Sequence, residues 1–70
     1  MATINRIYGH GNCFVVYRNN VQMAAFHMEW MADLFCTALV QRYVDMRYGT
    51  VEQACAELEI RGEYHETLRF

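Results

Sequence analysis

Along the first third of the chain apolar positions alternate with polar ones or cluster in short runs, whereas from Met28 onward they recur every three to four residues. That change of period predicts a β half followed by an α half. Thr3 to Tyr8 alternate weakly, and Gly9-His10-Gly11-Asn12 supplies a loop in which glycine can take positive φ, so a first hairpin is expected there. The run Cys13-Phe14-Val15-Val16-Tyr17-Arg18 is β-branched and aromatic, Asn19-Asn20 can adopt left-handed conformations, and Val21 to Phe26 resumes an apolar run. With Asn19-Asn20 as a two-residue turn, Arg18 pairs with Val21 and the register sorts the side chains. One face then carries Phe14, Val16, Val21, Met23 and Ala25 with Arg18 at its end, and the other Cys13, Val15, Tyr17, Ala24 and Phe26 with Gln22. Both faces read as apolar. A sheet with helices on one side normally shows water a polar second face, so a cover from a second chain, the C-terminal tail or a partner is expected.

From about Met28 to Tyr48 the positions Met28, Met31, Leu34, Phe35, Ala38, Leu39 and Met46 form the apolar stripe of an amphipathic helix. Glu29 and Asp33 near its start and Arg42 and Arg47 near its end match the helix dipole, and Gly49 is the expected C-cap. Thr50-Val51-Glu52-Gln53 has the form of a capping box, followed by a stripe of Val51, Ala54, Cys55 and Leu58 on a short helix ending before Gly62. The tail from Glu63 alternates weakly through Tyr64, Leu68 and Phe70, which fits an edge strand and a loose end equally. The expected fold class is α+β, one compact domain over residues 1–70. Its sheet is small and antiparallel, with three strands and the tail as candidate fourth, packed by one long and one short helix.

Composition changes this picture in one respect. A 70-residue chain has a small interior, burying only about 60% of its unfolded surface, yet 54% of its residues are apolar and 14% aromatic. Some of that apolar surface must lie outside, where clusters mark interfaces, and a homodimer is expected. The net charge of -2 and pI of about 5.8 imply neither a nucleic-acid tail nor a membrane anchor. The chain has no Lys, Ser or Pro, and all six basic residues are arginine: Arg6, Arg18, Arg42, Arg47, Arg61 and Arg69. Arginine with Tyr, Trp, Phe and Met is the interface-enriched set, although a GC-rich genome would produce the same bias. Cys13, Cys36 and Cys55 are odd in number and widely spaced, which fits a reducing, cytoplasmic setting better than a disulfide framework. The N-terminal MATINRIYGHG lacks the apolar region of a signal peptide, and His27, Glu29 and Asp33 interrupt the most apolar stretch, so no membrane span is expected.

Few residues suggest chemistry. His10 and Cys13 are spaced as His-x-x-Cys, but two ligands do not make a zinc site, and neither metal nor cofactor is expected. Cys36 or Cys55 could be combined with His65 and Glu66 as a nucleophile set, yet both cysteines fall on apolar helix positions where thiols are inert. No phosphate-binding glycine loop, HExxH or dinucleotide fingerprint is present, and no enzymatic activity is expected. The segment Gln41-Arg42-Tyr43-Val44-Asp45-Met46-Arg47-Tyr48 places two Arg-Tyr pairs five residues apart at the end of the long helix. Arginine forks carboxylate or phosphate and tyrosine stacks, a combination that suits protein, RNA or single-stranded DNA. The partner-binding candidates are therefore Arg42, Arg47 and Tyr48, with Trp30, the only tryptophan, as a boundary anchor.

Very short α+β chains without catalytic motifs and rich in interface-type residues are similar to the small accessory proteins of bacteriophages, including anti-CRISPR inhibitors that dock on a host nuclease or surveillance complex. The resemblance covers size and architecture and no specific residue. It implies a non-enzymatic inhibitor acting in the host cytoplasm on a host protein or protein complex; the alternative is a small dimeric nucleic-acid-binding regulator.

Overall fold

The two asparagines of Asn19-Asn20 have φ of 49° and 67°, the paired left-handed conformation of a type I′ turn. The turn joins β2 (Cys13–Arg18) to β3 (Val21–Phe26). The full order is β1 (Asn5–Ile7), β2, β3, α1 (Glu29–Asp45), α2 (Val51–Glu57) and β4 (Leu58–Glu63), in a computed structural model that describes residues 2–65. The fold is α+β, with a four-stranded sheet and one long and one short helix.

The sheet differs from the expected antiparallel three-strand arrangement because of β4. Its sequence Leu58-Glu59-Ile60-Arg61-Gly62-Glu63 alternates, but its first residues continue the apolar stripe of α2, so the sequence reads as more helix. The helix stops instead at Glu57, and Leu58 is already extended at φ −102° and ψ 147°. The turn of the hairpin receives this helix end, the Asn19 N–H donating to the Glu57 carbonyl at 2.8 Å. From there β4 runs between β1 and β2, parallel to β1 and antiparallel to β2, giving the order β1-β4-β2-β3. The expected first hairpin does not form. The Gly9 to Asn12 loop instead crosses the end of β4, so closely that a Cβ on Gly11 would collide with the Glu63 backbone. Asn12 fastens the crossing, its N–H donating to the Glu63 carbonyl at 3.0 Å and its side-chain amide pairing with the His65 backbone. Of the tail, Glu63 ends β4; everything after His65 lies outside the described residues.

The insertion changes the second face of the sheet, and a bulge changes it further. The hairpin keeps the expected register at Arg18↔Val21 and Tyr17↔Gln22, then slips at Met23 so that Val16 pairs with Ala24 and Phe14 with Phe26. An extra residue turns every later side chain over. Ala24 and Phe26 therefore lie on the helix side, and Ala25 on the other, the reverse of the sequence expectation. With β4 in place the second face also gains Glu59, Arg61 and Glu63. Tyr17 Oη donates to the Glu63 carboxylate at 2.9 Å, raising the phenol pKa, and the Arg61 guanidinium lies 4.1 Å from the Tyr17 ring centre while paired with Glu59. This face is polar, and the dimer expected from an apolar one loses that premise.

The core is Val16, Leu58 and Ile60 from the sheet against Ala32 and Cys36 from α1, flanked by Ile4, Phe14, Phe26, Phe35, Leu39 and Val40. Its centre on α1 is not the stripe expected from the sequence. Ala32 and Cys36 are fully buried, while Leu34 is 62% exposed, lying about 160° around the helix from both. Small side chains there let the helix settle onto a sheet face already filled by Phe14, Phe26 and Ile60. Arg6 of β1 fixes the rotation from the side, pairing with Glu29 at 2.6 Å and with Asp33 one turn later. Phe35 and Leu39 stay at the core margin, but Met28, Leu34, Ala38 and Met46 face outward.

Ile60→Ala is expected to destabilise the protein by about 2–5 kcal/mol in urea titrations, as truncation in a closed core does, whereas Leu34→Ala should change stability by less than about 0.5 kcal/mol. Equal losses would mean that Leu34 is part of the core.

Candidate partner-binding site

The end of α1 sets the geometry of a region where basic and aromatic side chains gather. The Arg47 N–H donates to the Val44 carbonyl at 3.0 Å and the Tyr48 N–H to the Tyr43 carbonyl at 3.1 Å, the paired bonds of a Schellman ending. The left-handed residue of that ending is Arg47, at φ 61°, and not the expected Gly49, whose φ is not positive. Gly49 is required for a different reason. A Cβ there would strike the Gln53 side chain and come within 2.9 Å of the Tyr43 ring. Gln53 is held in that position by the expected capping box, accepting from the Thr50 N–H at 2.8 Å while Thr50 Oγ1 accepts from the Gln53 N–H at 3.2 Å.

This tight corner folds Tyr48 back beside Tyr43, with ring centres 5.8 Å apart and planes at 64°, an edge-to-face contact. Tyr43 is tied from behind, its hydroxyl donating to Glu57 at 3.0 Å, a bond that raises the phenol pKa. The two rings, with Arg18, Met23, Leu39 and Arg42, line a cleft of about 290 Å³ between the end of α1 and the β2–β3 hairpin. Leu39 and Arg42 also line a larger open groove of about 620 Å³ that continues along α1 past Phe35, Ala38 and Met46, with Gln41 and Asp45 as its polar members. Basic, aromatic and aliphatic surface are thus contiguous.

The arginines differ in how they are employed. Arg6 holds Glu29 and Asp33, and Arg61 holds Glu59. Among the described residues Arg18, Arg42 and Arg47 have no ion-pair partner. Two nearby carboxylates accept from neutral donors and keep their charge, Glu57 from the Tyr43 hydroxyl and Asp45 from the Gln41 amide at 2.8 Å. The cleft therefore offers guanidinium donors to whatever enters it.

Of the residues proposed from sequence, Arg42 and Tyr48 line this cleft and Arg47 lies between Tyr48 and the groove residue Met46. Trp30 is 55% exposed but about 18 Å along the helix from Arg42; it does not join them. Arg18, Met23, Leu39 and Tyr43 were not among the sequence candidates. Arg18 could have been found from the Asn19-Asn20 turn, which places it at a strand end; Met23 depends on the bulge and could not.

Of the other candidate groups, Glu66 of the nucleophile set lies outside the described residues. Burial pushes the Cys36 thiol up to about 11, and Cys13 is buried with its thiol donating to the Glu63 carbonyl at 3.2 Å and its pKa raised by burial. Among the described residues no three His, Cys, Asp or Glu side chains are grouped to hold a metal, and no helix is long and apolar enough to cross a membrane.

A left-handed conformation costs a residue with a side chain roughly 1 kcal/mol. Arg47→Gly is therefore expected to raise stability by up to about 1 kcal/mol and Arg47→Val to lower it, read as a shift in denaturation midpoint; a stabilised Val variant would exclude the left-handed ending.

The chain matches no protein-family model, no curated protein and no solved structure at a significant level.

Proposed function

We propose that this is a non-enzymatic binding protein that docks on an acidic patch of a protein partner through the cleft between the end of α1 and the hairpin. The observation that carries the reading is that Arg18 and Arg42, without an ion-pair partner among the described residues, flank Tyr43 and Tyr48 at the mouth of a mainly apolar groove. An unpaired arginine beside aromatic and aliphatic surface is the composition of interface hot spots. The apolar groove favours protein over nucleic acid, since a phosphate backbone gives Phe35, Ala38 and Met46 nothing to bury. A phage-type inhibitor of a host, CRISPR-like complex fits such a surface and remains the proposed biological setting. The proposal places the contact on Arg42, Arg47 and Tyr48 as expected from sequence, adds Arg18, and leaves Trp30 to a separate surface.

Capture from a bacterial lysate with and without nuclease, followed by mass spectrometry, identifies the partner. Arg18→Ala and Arg42→Ala are then expected to weaken binding by about 2 kcal/mol each, or roughly thirtyfold, with unchanged thermal unfolding. Wild-type affinity in both variants would overturn the reading. Capture lost on nuclease treatment, together with a steep fall in affinity with salt, would instead establish the nucleic-acid alternative.

A further inference from the structure

β3 is the outer strand of the sheet among the described residues, and its outer edge lies beside the cleft just described, which Met23 lines. Six residues long, it reads Val21-Gln22-Met23-Ala24-Ala25-Phe26 and contains no charge and no proline. Natural edges are commonly blunted by a lysine, an inward-pointing charge, a proline or a β-bulge that stops another strand from pairing. Of these β3 carries only the bulge, at Met23, and Val21 and Met23 are 62% and 40% exposed. The opposite edge is a contrast: β1 has three residues and its central Arg6 is engaged with α1.

The backbone groups available on this edge follow from the register. Arg18 and Val21 close the two-residue turn and exchange their hydrogen bonds, so the next residue, Gln22, directs its N–H and carbonyl away from the hairpin. Beyond the bulge Val15↔Ala25 is the next pair of that kind, and Ala25 points outward as well. A strand laid along β3 would meet these groups with its backbone. Alternate side chains would project toward the helix layer, over Met23 and Leu39 and between Arg18 and Arg42.

We propose that the occupant is an extended acidic segment of another protein, added to the sheet as a strand antiparallel or parallel to β3, its carboxylates meeting Arg18 and Arg42 and its apolar side chains the α1 groove. This rests on the reading of the cleft given above and specifies the partner's form. Charge decides between such a segment and a second copy of this chain. Pairing β3 with another β3 brings no carboxylate from the strand itself to the three arginines that lack an ion pair among the described residues, and of the acidic residues of α1 Glu29 and Asp33 are held by Arg6 and Asp45 by the Gln41 amide.

The test uses the isotopically labelled full chain and a capped hexapeptide of alternating glutamate and valine, with the lysine–valine peptide and an acidic helical peptide as controls. Saturating glutamate–valine peptide is expected to slow exchange of the Gln22 and Ala25 amides at least tenfold, and neither control should do so. Gln22→Pro, which removes an outward N–H that an added strand would use and leaves the hairpin's own bonds in place, should weaken peptide binding at least tenfold. Arg18→Ala and Arg42→Ala should weaken it to a similar degree.

Absence of binding, or binding that leaves the Gln22 and Ala25 amides unchanged, overturns strand addition and leaves the cleft reading intact. Protection of both amides that grows with protein concentration alone, with a dimer in sedimentation, assigns the edge to a second copy. Should the peptide protect both amides equally in wild type and in the two arginine variants, the edge pairs strands without the cleft, and the reading of the cleft fails instead.

Discussion

The architecture depends on the pairing of β4 with two strands at once. Because it enters between β1 and β2, its apolar residues Leu58 and Ile60 complete the core while Glu59, Arg61 and Glu63 are delivered to the other face. A three-stranded meander would have left Val15 and Cys13 on a bare apolar surface. In the four-stranded sheet Val15 is fully buried between Ala25 and Arg61 on the neighbouring strands. The same insertion makes β3 an outer strand, with β4 on the far side of β2, and brings the Asn19-Asn20 turn over the last carbonyl of α2.

Rotation of α1 is the second constraint, and it determines what the surface is made of. The helix has apolar residues nearly all round, so hydrophobicity alone does not choose its buried side. Volume does: a sheet face bearing Phe14, Phe26 and Ile60 accepts Ala32 and Cys36 where it could not accept Leu34 and Met31 without moving the helix away. The ion pairs of Arg6 with Glu29 and Asp33 agree with that choice, and at about one-third exposure each adds at most about 1 kcal/mol. They serve more to set direction than to supply stability. Leu34, Ala38 and Met46 are left outside as a consequence.

A slightly acidic protein can present a basic site when its carboxylates are engaged elsewhere. Here Glu29, Asp33, Glu59 and Glu63 are tied into contacts on β1 and the open sheet face, and Glu57 is held behind Tyr43. The end of α1 keeps unneutralised arginines beside two tyrosines, packed by a corner that is itself costly, since Arg47 takes a left-handed conformation that glycine would adopt more readily. A strained residue with a side chain at such a corner is a feature that recurs at functional surfaces.

Local chemistry was sufficient where short-range interactions decide. The Asn19-Asn20 turn, both strands of the hairpin, the long helix and the Thr50–Gln53 capping box are all legible in the sequence, because each is satisfied by residues within a few positions of one another. The Arg-Tyr segment at the end of α1 was legible for the same reason, and it supplies two lining residues of the cleft, Arg42 and Tyr48. What the tertiary structure alone decided involves partners distant in the chain. The break at Leu58 between helix and strand depends on vacant hydrogen-bonding edges of β1 and β2, 40 to 54 residues earlier. The face of Phe26 depends on a bulge with no turn residue to announce it, and the buried side of α1 depends on the volume of the sheet beneath it. Arg18 joins Arg42 only because the hairpin turn and the helix end meet in space, an encounter that no spacing along the chain encodes.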